Sequence, residues 1–472
     1  MGWSVPRAPE KDLPQSSSVW GVLLIFGIVY LLALVWIVLT APATGLPSLA
    51  SGHYLPLTAI ASCGLLLLLA LYLMPKEVAA SGHYYWTRWQ ANVEAVWRQW
   101  AHQHLWLVSS ELLIPDERLI ARLAGMPDDS RGDEVFDEPK ALQGGERFEP
   151  ICRELLSRLA VTLAESAYRD SITLVVLAST PVAEPMQIQL KRAWQSLAIP
   201  CSLRLQVPEP DCAFELWNEQ VLAGDEPVII LALHCRQPGE SAMELATLLF
   251  LCPERLRSFF SPAPTLKLFR AMPVTPSVLK EDLCELALMG QQPVDAVRLL
   301  WASGVDGSLL ATLPAVAHTA SLSLNPNAAM GGVIDFDTTV APYGALSGWL
   351  MLGAAAQAAD AHGGSQWLLI GHEDRYWAVT LGGEASIPAG LATLPAVPAI
   401  WGSLTLALFC NLLLFCLLMV LAPAWLLSGW GLGLFVLSVP VAIVSIALFS
   451  NRCVYRYLRP RFIALARQGA QC

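Results

Sequence analysis

Residues 19–40 read VWGVLLIFGIVYLLALVWIVLT, an apolar run that contains no charged side chain. A helix needs about 20 such residues to cross the hydrocarbon core of a bilayer. Three further runs of similar length and composition follow, at 55–74, 400–421 and 424–449. Because buried helices of soluble proteins rarely extend this far without a charge, the sequence predicts four transmembrane helices.

The segments around these runs predict how the helices are arranged. Residues 41–54 and 422–423 join the runs into two hairpins and contain no Lys or Arg. The segments outside the hairpins are rich in both, at Arg7, Lys11, Lys76, Arg88, Arg98, Arg452, Arg456, Arg459, Arg461 and Arg467. Since Lys and Arg stay on the cytoplasmic side of a membrane, both termini and the central region are expected in the cytoplasm. The expected location is a bacterial-type inner membrane.

The predicted organisation has seven regions. They are a cytoplasmic N-terminus (1–18), a first transmembrane hairpin (19–75), Trp-rich juxtamembrane helices (76–125), an acidic linker (126–150), a cytoplasmic α/β domain (151–397), a second transmembrane hairpin (398–450) and a basic cytoplasmic tail (451–472). In the juxtamembrane region, Trp86, Trp89, Trp97 and Trp100 follow helical spacing. Such a helix can lie flat in the membrane interface or pack its Trp stripe against the domain, and both interpretations stay open.

The charge and the cysteines of the chain restrict its partners and its compartment. It has 29 Lys and Arg against 39 Asp and Glu, so its net charge is −10. Phosphate backbones require the opposite sign, which excludes a nucleic-acid binder. The 11 cysteines are odd in number and form no Cys-x-x-Cys pair. They are expected to be reduced cytoplasmic thiols rather than a disulfide framework or a zinc site.

Helical and strand patterns alternate through the central region. Predicted helices lie at 151–168, 187–197, 214–222, 242–251 and 277–300, and predicted strands lie at 172–178, 202–207, 228–234, 320–324 and 333–337. A helix at 345–361 is rich in Gly and Ala, so other backbones can approach it and it is expected to be central and buried. Two strands at 366–370 and 376–381 predict a hairpin. The alternation predicts an open α/β sheet.

Two α/β halves, a central helix of small residues and a terminal hairpin resemble the thiolase-like fold of ketosynthases, over about residues 151–381. In that family a nucleophilic Cys, served by two His, performs acyl transfer. The candidates here are Cys201, Cys212, Cys235, Cys252 and Cys284, with His234 and His318, and none has the family's local sequence. The resemblance therefore implies a degenerate thiolase-like domain that lacks the catalytic Cys-His-His set.

The segment Asp335-Phe336-Asp337-Thr338-Thr339 follows an apolar strand and is similar to the first motif of haloacid-dehalogenase-like phosphatases. The similarity implies phosphoryl transfer with Asp335 as nucleophile, Asp337 as acid/base, Thr339 as support and a magnesium ion at the phosphate. The residues between this motif and the next membrane run contain no Lys, although the family requires one. Two further interpretations are a site for a metal-bound nucleotide sugar and a strand end whose Asp side chains cap the next turn.

Other catalytic signatures are missing from the sequence or incomplete. There is no G-x-x-x-x-G-K-S/T loop, no G-x-S-x-G elbow and no G-x-G-x-x-G motif after a strand. His102 and His104 lie two residues apart on a predicted helix, and His362 and His372 flank a predicted strand. Neither pair supplies a complete metal site. The four apolar runs contain no Asp, Glu, Lys, Arg or His, which argues against a transporter or a pump.

These patterns favour a non-enzymatic accessory or scaffold protein of the inner membrane, whose cytoplasmic α/β domain binds a protein partner, in an envelope or secretion assembly. The expected partners are the lipid bilayer and that protein, and no catalytic residue, metal or other cofactor is expected. The alternative is a membrane-tethered enzyme. It would perform phosphoryl transfer at Asp335 and Asp337 with magnesium, or acyl transfer on the thiolase-like scaffold.

Overall fold

A computed structural model describes residues 9, 11–12, 18–40, 54–116, 118–125, 147–208, 214, 217–218, 222, 224–236, 242–372, 375–383 and 396–469. The chain divides into two compact units, residues 1–97 with 391–472, and residues 98–390. The first is called the helical unit and the second the α/β unit.

The described residues form twelve helices and eleven strands. The helices are α1 (Val19–Thr40), α2 (Tyr54–Ala101), α3 (Arg118–Leu123), α4 (Phe148–Glu165), α5 (Glu184–Ser196), α6 (Leu279–Met289), α7 (Gly307–Thr319), α8 (Phe336–Thr339), α9 (Ser347–His362), α10 (Trp401–Leu421), α11 (Pro423–Leu426) and α12 (Gly429–Gly469). The strands are β1 (His104–Leu113), β2 (Ser171–Ala178), β3 (Ser202–Gln206), β4 (Val228–His234), β5 (Leu245–Cys252), β6 (Leu266–Phe269), β7 (Met272–Val274), β8 (Val297–Ser303), β9 (Val333–Asp335), β10 (Ser365–His372) and β11 (Arg375–Gly382).

The helical unit contains the four helices predicted from the apolar runs. By length and composition, α1, α2, α10 and α12 are each long and apolar enough to cross a membrane. Few side chains on their apolar stretches are buried, as expected for surfaces that meet lipid. The single turn α11 lies in the short link between α10 and α12. The structure therefore confirms, at the predicted positions, four helices of sufficient length and apolarity to span a membrane.

α2 and α12 are much longer than a membrane crossing requires. α2 has 48 residues and α12 has 41, whereas about 20 are sufficient. The predicted Trp-rich juxtamembrane helix is therefore the second part of α2 rather than a separate element. Trp86 and Trp89 in this part pack on Phe462 of α12, with ring centroids 5.1 and 5.6 Å apart. These two Trp side chains contact protein, as the packing interpretation required, but their partner is α12.

Polar contacts hold α10 against α2 and α12. The Glu77 carboxylate of α2 accepts hydrogen bonds from the backbone N–H of Ser403 at 2.8 Å and from the Ser403 hydroxyl. Ser403 lies in the first turn of α10, where the N–H groups have no partner inside the helix. Glu77 therefore caps α10 from the neighbouring helix. Farther along, the Ser438 hydroxyl of α12 donates to Oδ1 of Asn411 on α10 at 2.7 Å.

The α/β unit is built on a sheet of eleven strands. Ten of them follow the order β3-β2-β4-β5-β1-β6-β11-β10-β8-β9, and β7 pairs with β11 outside this path. β2 is parallel to β3 and β4, and β8 is parallel to β9 and β10. β5 and β11 are antiparallel to β4 and β10. The order 3-2-4-5 thus recurs as 9-8-10-11, which confirms two α/β halves and the terminal hairpin.

The predicted small-residue helix, α9, lies at the centre of this unit. It contacts β1, β4 and β5 as well as β8, β10 and β11, so strands of both halves pack on it. Two of its glycines permit the close approach. A Cβ added at Gly353 would meet the side chain of Thr247, and one added at Gly348 would meet Ile370 at 2.6 Å. The expectation of a central, buried helix is confirmed.

A second core lies on the other face of the first half of the sheet, which consists of β2, β3, β4 and β5. Alternate residues of β2 separate the two cores, because successive side chains of a strand point to opposite faces. Val175 and Leu177 belong to the core around α9, whereas Leu174 and Val176 belong to the core beneath α4 and α5. The first half of the sheet is therefore covered by protein on both faces.

Several predicted elements are wrong. The predicted helix at 242–251 is mostly strand β5, all of whose residues are buried. A strand buried on both faces has no polar–apolar period, so it cannot be told from a buried helix by pattern. The predicted helix at 277–300 contains α6 and the start of β8, and 320–324 is a turn and coil after α7 rather than a strand.

The region predicted as juxtamembrane helices, 76–125, contains the strand β1. β1 pairs with β5 on one side and β6 on the other, so the α/β unit begins before the predicted boundary at 151. Of the predicted acidic linker, 126–146 lies outside the described residues, Arg147 precedes α4, and 148–150 form the start of α4. Most of the predicted helix 214–222 also lies outside the described residues.

Candidate functional site

The carboxyl ends of three parallel strands meet at one edge of the second half of the sheet. Ser303, Asp335 and His372 are the last residues of β8, β9 and β10. Ligands of open α/β sheets bind beyond the carboxyl ends of the strands. The residues of the Asp335–Thr339 motif therefore lie at the edge where a site is expected.

Asp335 caps the short helix α8. Its Oδ1 accepts hydrogen bonds from the backbone N–H groups of Asp337 at 3.2 Å and Thr338 at 3.3 Å. The Thr339 hydroxyl donates to the Asp335 carbonyl oxygen at 2.6 Å. A short carboxylate side chain favours this position because it satisfies N–H groups that have no partner inside the helix. The motif is thus assembled as a strand end with a capped turn.

Asp337 bridges α8 to the end of β8. Its Oδ1 accepts a hydrogen bond from the Ser303 hydroxyl at 2.7 Å, and its Oδ2 accepts one from the Gly304 N–H at 2.6 Å. Gly304 has φ of +65°, and an added Cβ would collide with the carbonyl of Gly371. Only glycine fits this turn. Both carboxylate oxygens of Asp337 are therefore used in holding two strand ends together.

These groups leave few lone pairs for the magnesium ion that the phosphatase resemblance implies. Magnesium is bound in near-octahedral geometry by carboxylates and waters, and each carboxylate ligand must turn a lone pair toward it. Both oxygens of Asp337 and one oxygen of Asp335 already accept protein hydrogen bonds. Among the described residues, no group of three or more His, Cys, Asp or Glu side chains is placed to hold a metal ion.

The corresponding edge of the first half is packed with rings and a buried ion pair. The His234 ring, at the end of β4, lies 5.0 Å from the Tyr343 ring between centroids. The Tyr343 hydroxyl donates to the Met243 carbonyl oxygen at 2.9 Å. The next residue, Glu244, is buried and forms an ion pair with the buried Arg147. Because breaking a buried pair leaves an uncompensated charge, the pair favours a single arrangement of this edge.

Three of the cysteines that were candidates for acyl transfer have raised pKa values, which make their thiols less reactive. Burial, with a smaller contribution from the Glu244 carboxylate, raises the pKa of Cys235 to about 12. Burial, assisted by Glu254, raises the pKa of Cys252 to about 12, and burial also raises the pKa of Cys201. A nucleophilic thiol requires a shift in the opposite direction. Cys212 lies outside the described residues.

The predicted histidine pairs are placed differently from expectation. His102 lies in a turn after α2 and His104 begins β1, so the predicted shared helix is wrong. His102 Nε2 hydrogen-bonds the Met289 carbonyl at 2.7 Å. Burial lowers the pKa of both rings, which favours their neutral forms. Of the second pair, His372 ends β10, and the side chain of His362 lies outside the described residues.

Two cavities that the sequence did not indicate lie where β8 and β10, strands of the second half of the sheet, begin. One has a volume of about 680 Å³ and the other about 290 Å³, and both are lined by Arg298 and Gly363. Gly363 has φ of +64° and directly follows α9. The pair Gly363-Gly364 marks a helix end in the sequence and is a local signal of this edge of the sheet. Neither cavity is lined by the residues of the Asp335–Thr339 motif.

Comparisons with known proteins give a fold resemblance and nothing closer. No protein-family model matches the sequence, and no curated protein matches it. The tetronic acid condensing enzyme AbyA1 aligns with a TM-score of 0.36 and 10% identity, over 59% of this chain and 100% of that chain. Human mitochondrial 3-ketoacyl-CoA thiolase aligns with a TM-score of 0.37 and 8% identity, over 60% of this chain and 99% of that one. Xanthomonas campestris OleA gives 0.37 and 8%, over 60% and 98%. The chain thus contains a mixed α/β sheet that weakly resembles the thiolase-like fold.

Proposed function

We propose that the protein is a non-enzymatic anchor of a bacterial-type inner membrane. Its α/β unit would hold a protein partner at the cytoplasmic face, as an accessory or scaffold in an envelope or secretion assembly. The observation that carries the proposal is the double attachment of this unit. Its chain arrives through α2 and leaves toward α10, so a helix able to span a membrane adjoins each end. Attachment at both ends limits the orientations of the unit, which lowers the entropic cost of docking a partner.

The polar groups at the carboxyl edge support binding over catalysis. Asp337 accepts two protein hydrogen bonds, and Asp335 is engaged as a helix cap. The raised pKa of Cys235 keeps its thiol protonated at neutral pH. A catalytic nucleophile or base must instead be free to reach a substrate. The arrangement stabilises the fold and keeps the Asp337 carboxylate and the Cys235 thiol from these roles.

Site-specific photo-crosslinking in living cells tests partner binding. A photoreactive amino acid is placed singly at Val161, Ile188 or Leu288, which are apolar side chains of the α/β unit that are 61%, 43% and 66% exposed. The proposal expects a discrete adduct with one and the same protein from at least one of these positions. A probe at Leu32, on α1 of the helical unit, is the matched control and should not give that adduct. Absence of any adduct across the exposed surface would contradict the proposal.

The substitution Asp335→Asn tests the phosphoryl-transfer alternative. Asn caps a helix about as well as Asp, so α8 keeps its cap, but the amide cannot act as the nucleophile. The proposal expects that cells with the Asp335→Asn protein have the same phenotype as cells with the native protein. The crosslinked adduct should also be the same. Loss of the phenotype by a folded Asp335→Asn protein, together with loss of a metal-dependent phosphatase activity, would support the enzyme instead.

A further inference from the structure

The end of α12 extends beyond its apolar run and is rich in arginine. The apolar run ends at 449, and the helix continues to Gly469. Arg452, Arg456, Arg459 and Arg461 in this extension are exposed. No Asp or Glu occurs between 451 and the end of the chain. The extension therefore has positive charge that its own residues do not neutralise.

Three of these arginines share one face of α12. Arg452, Arg456 and Arg459 follow one another at intervals of four and three residues, which places them on the same side of a helix. The face flanks the contact in which Phe462 packs on Trp86 of α2, and it stays exposed. On α2, the carboxylate just beyond the apolar run, that of Glu77, is engaged by Ser403 of α10.

The height of these arginines in the helical unit follows from the packing of α10 against α12. Ser438 is hydrogen-bonded to Asn411, and the rings of Phe415 and Phe435 lie 5.3 Å apart, so the two helices are antiparallel. At 1.5 Å per residue, the start of α10 is level with about residue 448 of α12. Arg452 then lies about 6 Å beyond this level and Arg456 about 12 Å, so their flexible stems can reach a headgroup layer of roughly 5–7 Å. Arg459 lies about 17 Å beyond it, close enough to add to the electrostatic attraction of the layer.

We propose that Arg452 and Arg456 bind the phosphate groups of anionic phospholipids, in the leaflet from which α12 emerges, and that Arg459 adds to the attraction. The proposal rests on the membrane anchoring proposed above and names the lipid that the anchor contacts. Clusters of Lys and Arg directly beyond a transmembrane helix attract anionic lipid. The planar guanidinium is suited to this role because it donates two parallel hydrogen bonds to phosphate oxygens. Arg459 lies over the Tyr455 ring at 5.5 Å, which restricts the orientation of its guanidinium group.

Native mass spectrometry of the full-length chain in detergent tests the proposal. The chain is mixed with phosphatidylglycerol or with phosphatidylcholine of identical acyl chains, and the bound lipid is measured at increasing concentration. We expect phosphatidylglycerol to bind more tightly. The triple variant Arg452→Gln, Arg456→Gln, Arg459→Gln should lose this preference. At about fivefold per cation, the expected loss is of the order of 100-fold.

A second triple variant controls for the loss of net charge. Arg118→Gln, Lys191→Gln and Arg192→Gln remove the same charge from exposed positions of the α/β unit and should leave the lipid preference unchanged. Equal losses in the two triple variants would overturn the proposal, and so would equal binding of the two lipids by the native chain. Inorganic phosphate is added as competitor at the concentration of the lipid. If it displaces the lipid fully, the arginines bind a free anion, and the lipid proposal is overturned.

The effect of salt on lipid binding is measured on the native chain, so this test does not require any variant to fold. Added salt should weaken phosphatidylglycerol binding by the native chain, because exposed charges are screened. Binding of phosphatidylglycerol that does not respond to salt contradicts the role of the arginines. The measurement contains no protein partner, so its failure leaves the crosslinking test of the proposed function intact. Conversely, a chain that gives no crosslinks can still bind the lipid.

Discussion

At the scale of single residues, Asp335 stabilises the start of α8 through its side chain. Asp335→Ala removes both hydrogen bonds to backbone N–H groups, whereas Asp335→Asn retains an oxygen in the same position. We expect Ala to lower the free energy of unfolding by about 1 kcal/mol, and Asn to change it little. Thermal unfolding of the full-length protein in detergent measures the difference. Equal destabilisation by both substitutions would contradict the capping role.

The buried thiols predict the response of the α/β unit to alkaline pH. Burial raises the pKa of Cys235 and Cys252 to about 12, above the value of about 8.5 for an exposed thiol. Between these values the unfolded chain loses thiol protons that the folded chain retains. The free energy of unfolding should therefore fall as the pH rises above roughly 8.5, whereas these two groups should not affect it at lower pH.

The rate of alkylation at pH 8 tests the raised pKa of Cys235 and Cys252 directly. At this pH only about one in ten thousand of the Cys235 or Cys252 thiols is ionised, and the thiolate is the form that reacts. Cys453, which is exposed on α12, is the reference within the same chain. Mass spectrometry of digested protein should find Cys453 modified long before the two buried cysteines. Comparable rates at all three positions would argue against the raised pKa values.

Local and distant contacts at the Asp335–Thr339 motif differ in how far the sequence predicts them. Asp335 bonds to N–H groups two and three residues ahead, and a capped turn was among the interpretations of the motif. The partners of Asp337, Ser303 and Gly304, lie more than 30 residues away in the chain. They meet it only because β8 pairs with β9. A contact made by strand pairing has no local sequence signal.

At the scale of elements, the packing of α9 depends on a glycine. A Cβ at Gly353 would meet the Thr247 side chain, whose hydroxyl donates to the Glu111 carbonyl oxygen at 3.1 Å. We expect Gly353→Ala to lower the free energy of unfolding by about 1–3 kcal/mol through overpacking. Gly307→Ala is the matched control, because nothing lies within 4 Å of an added Cβ at the start of α7. It should be neutral, or stabilising by up to about 1 kcal/mol. The opposite order of thermal stabilities would contradict the close packing.

The elements that the sequence predicted correctly have sequence patterns that few other structures produce. The small-residue helix α9 and the hairpin of β10 and β11 are examples. β5 reads LATLLFLC and is buried throughout, so its pattern has no period and was interpreted as a helix. β1 was missed because it directly follows the Trp-rich helical pattern of α2. A segment that is buried on all sides has no polar face in its sequence. Whether it forms a helix or a strand then depends on the segments that it packs against.

At the scale of the whole molecule, two native cysteines report on the pairing of the hairpins. The thiols of Cys63 on α2 and Cys416 on α10 lie close enough to each other to interact. Copper–phenanthroline with oxygen should oxidise this pair to a disulfide in isolated membranes, because the sulfur atoms are already close. Mass spectrometry of the digested protein identifies the linked peptides.

Cys410, on the same helix as Cys416, is the internal control for this crosslink. It lies six residues away, or about 9 Å along α10, and it is exposed rather than paired with Cys63. We expect Cys63 to be linked to Cys416 and not to Cys410. A predominant link to Cys410, or links formed equally to both, would refute the packing of α2 on α10.

The sequence predicts the four long apolar helices well, because about 20 consecutive apolar residues, the length that crosses a bilayer, are a strong signal. It does not predict that β1 and β6 join two α/β halves into one sheet, since that joining depends on pairings between segments far apart in the chain. The whole-molecule consequence is that a single folded unit is attached at both of its ends. Proposed docking at the cytoplasmic face requires this unit and both chain termini to lie on the same side of the membrane.

Protease protection in sealed vesicles of both orientations is the most direct test of this arrangement. Antibodies to each terminus and to the α/β unit identify the fragments. In inside-out vesicles, the protease should cut both termini and the α/β unit. In right-side-out vesicles all three should remain protected, because only the links between paired helices face outward. Cleavage of the α/β unit in intact right-side-out vesicles would contradict cytoplasmic anchoring at both ends.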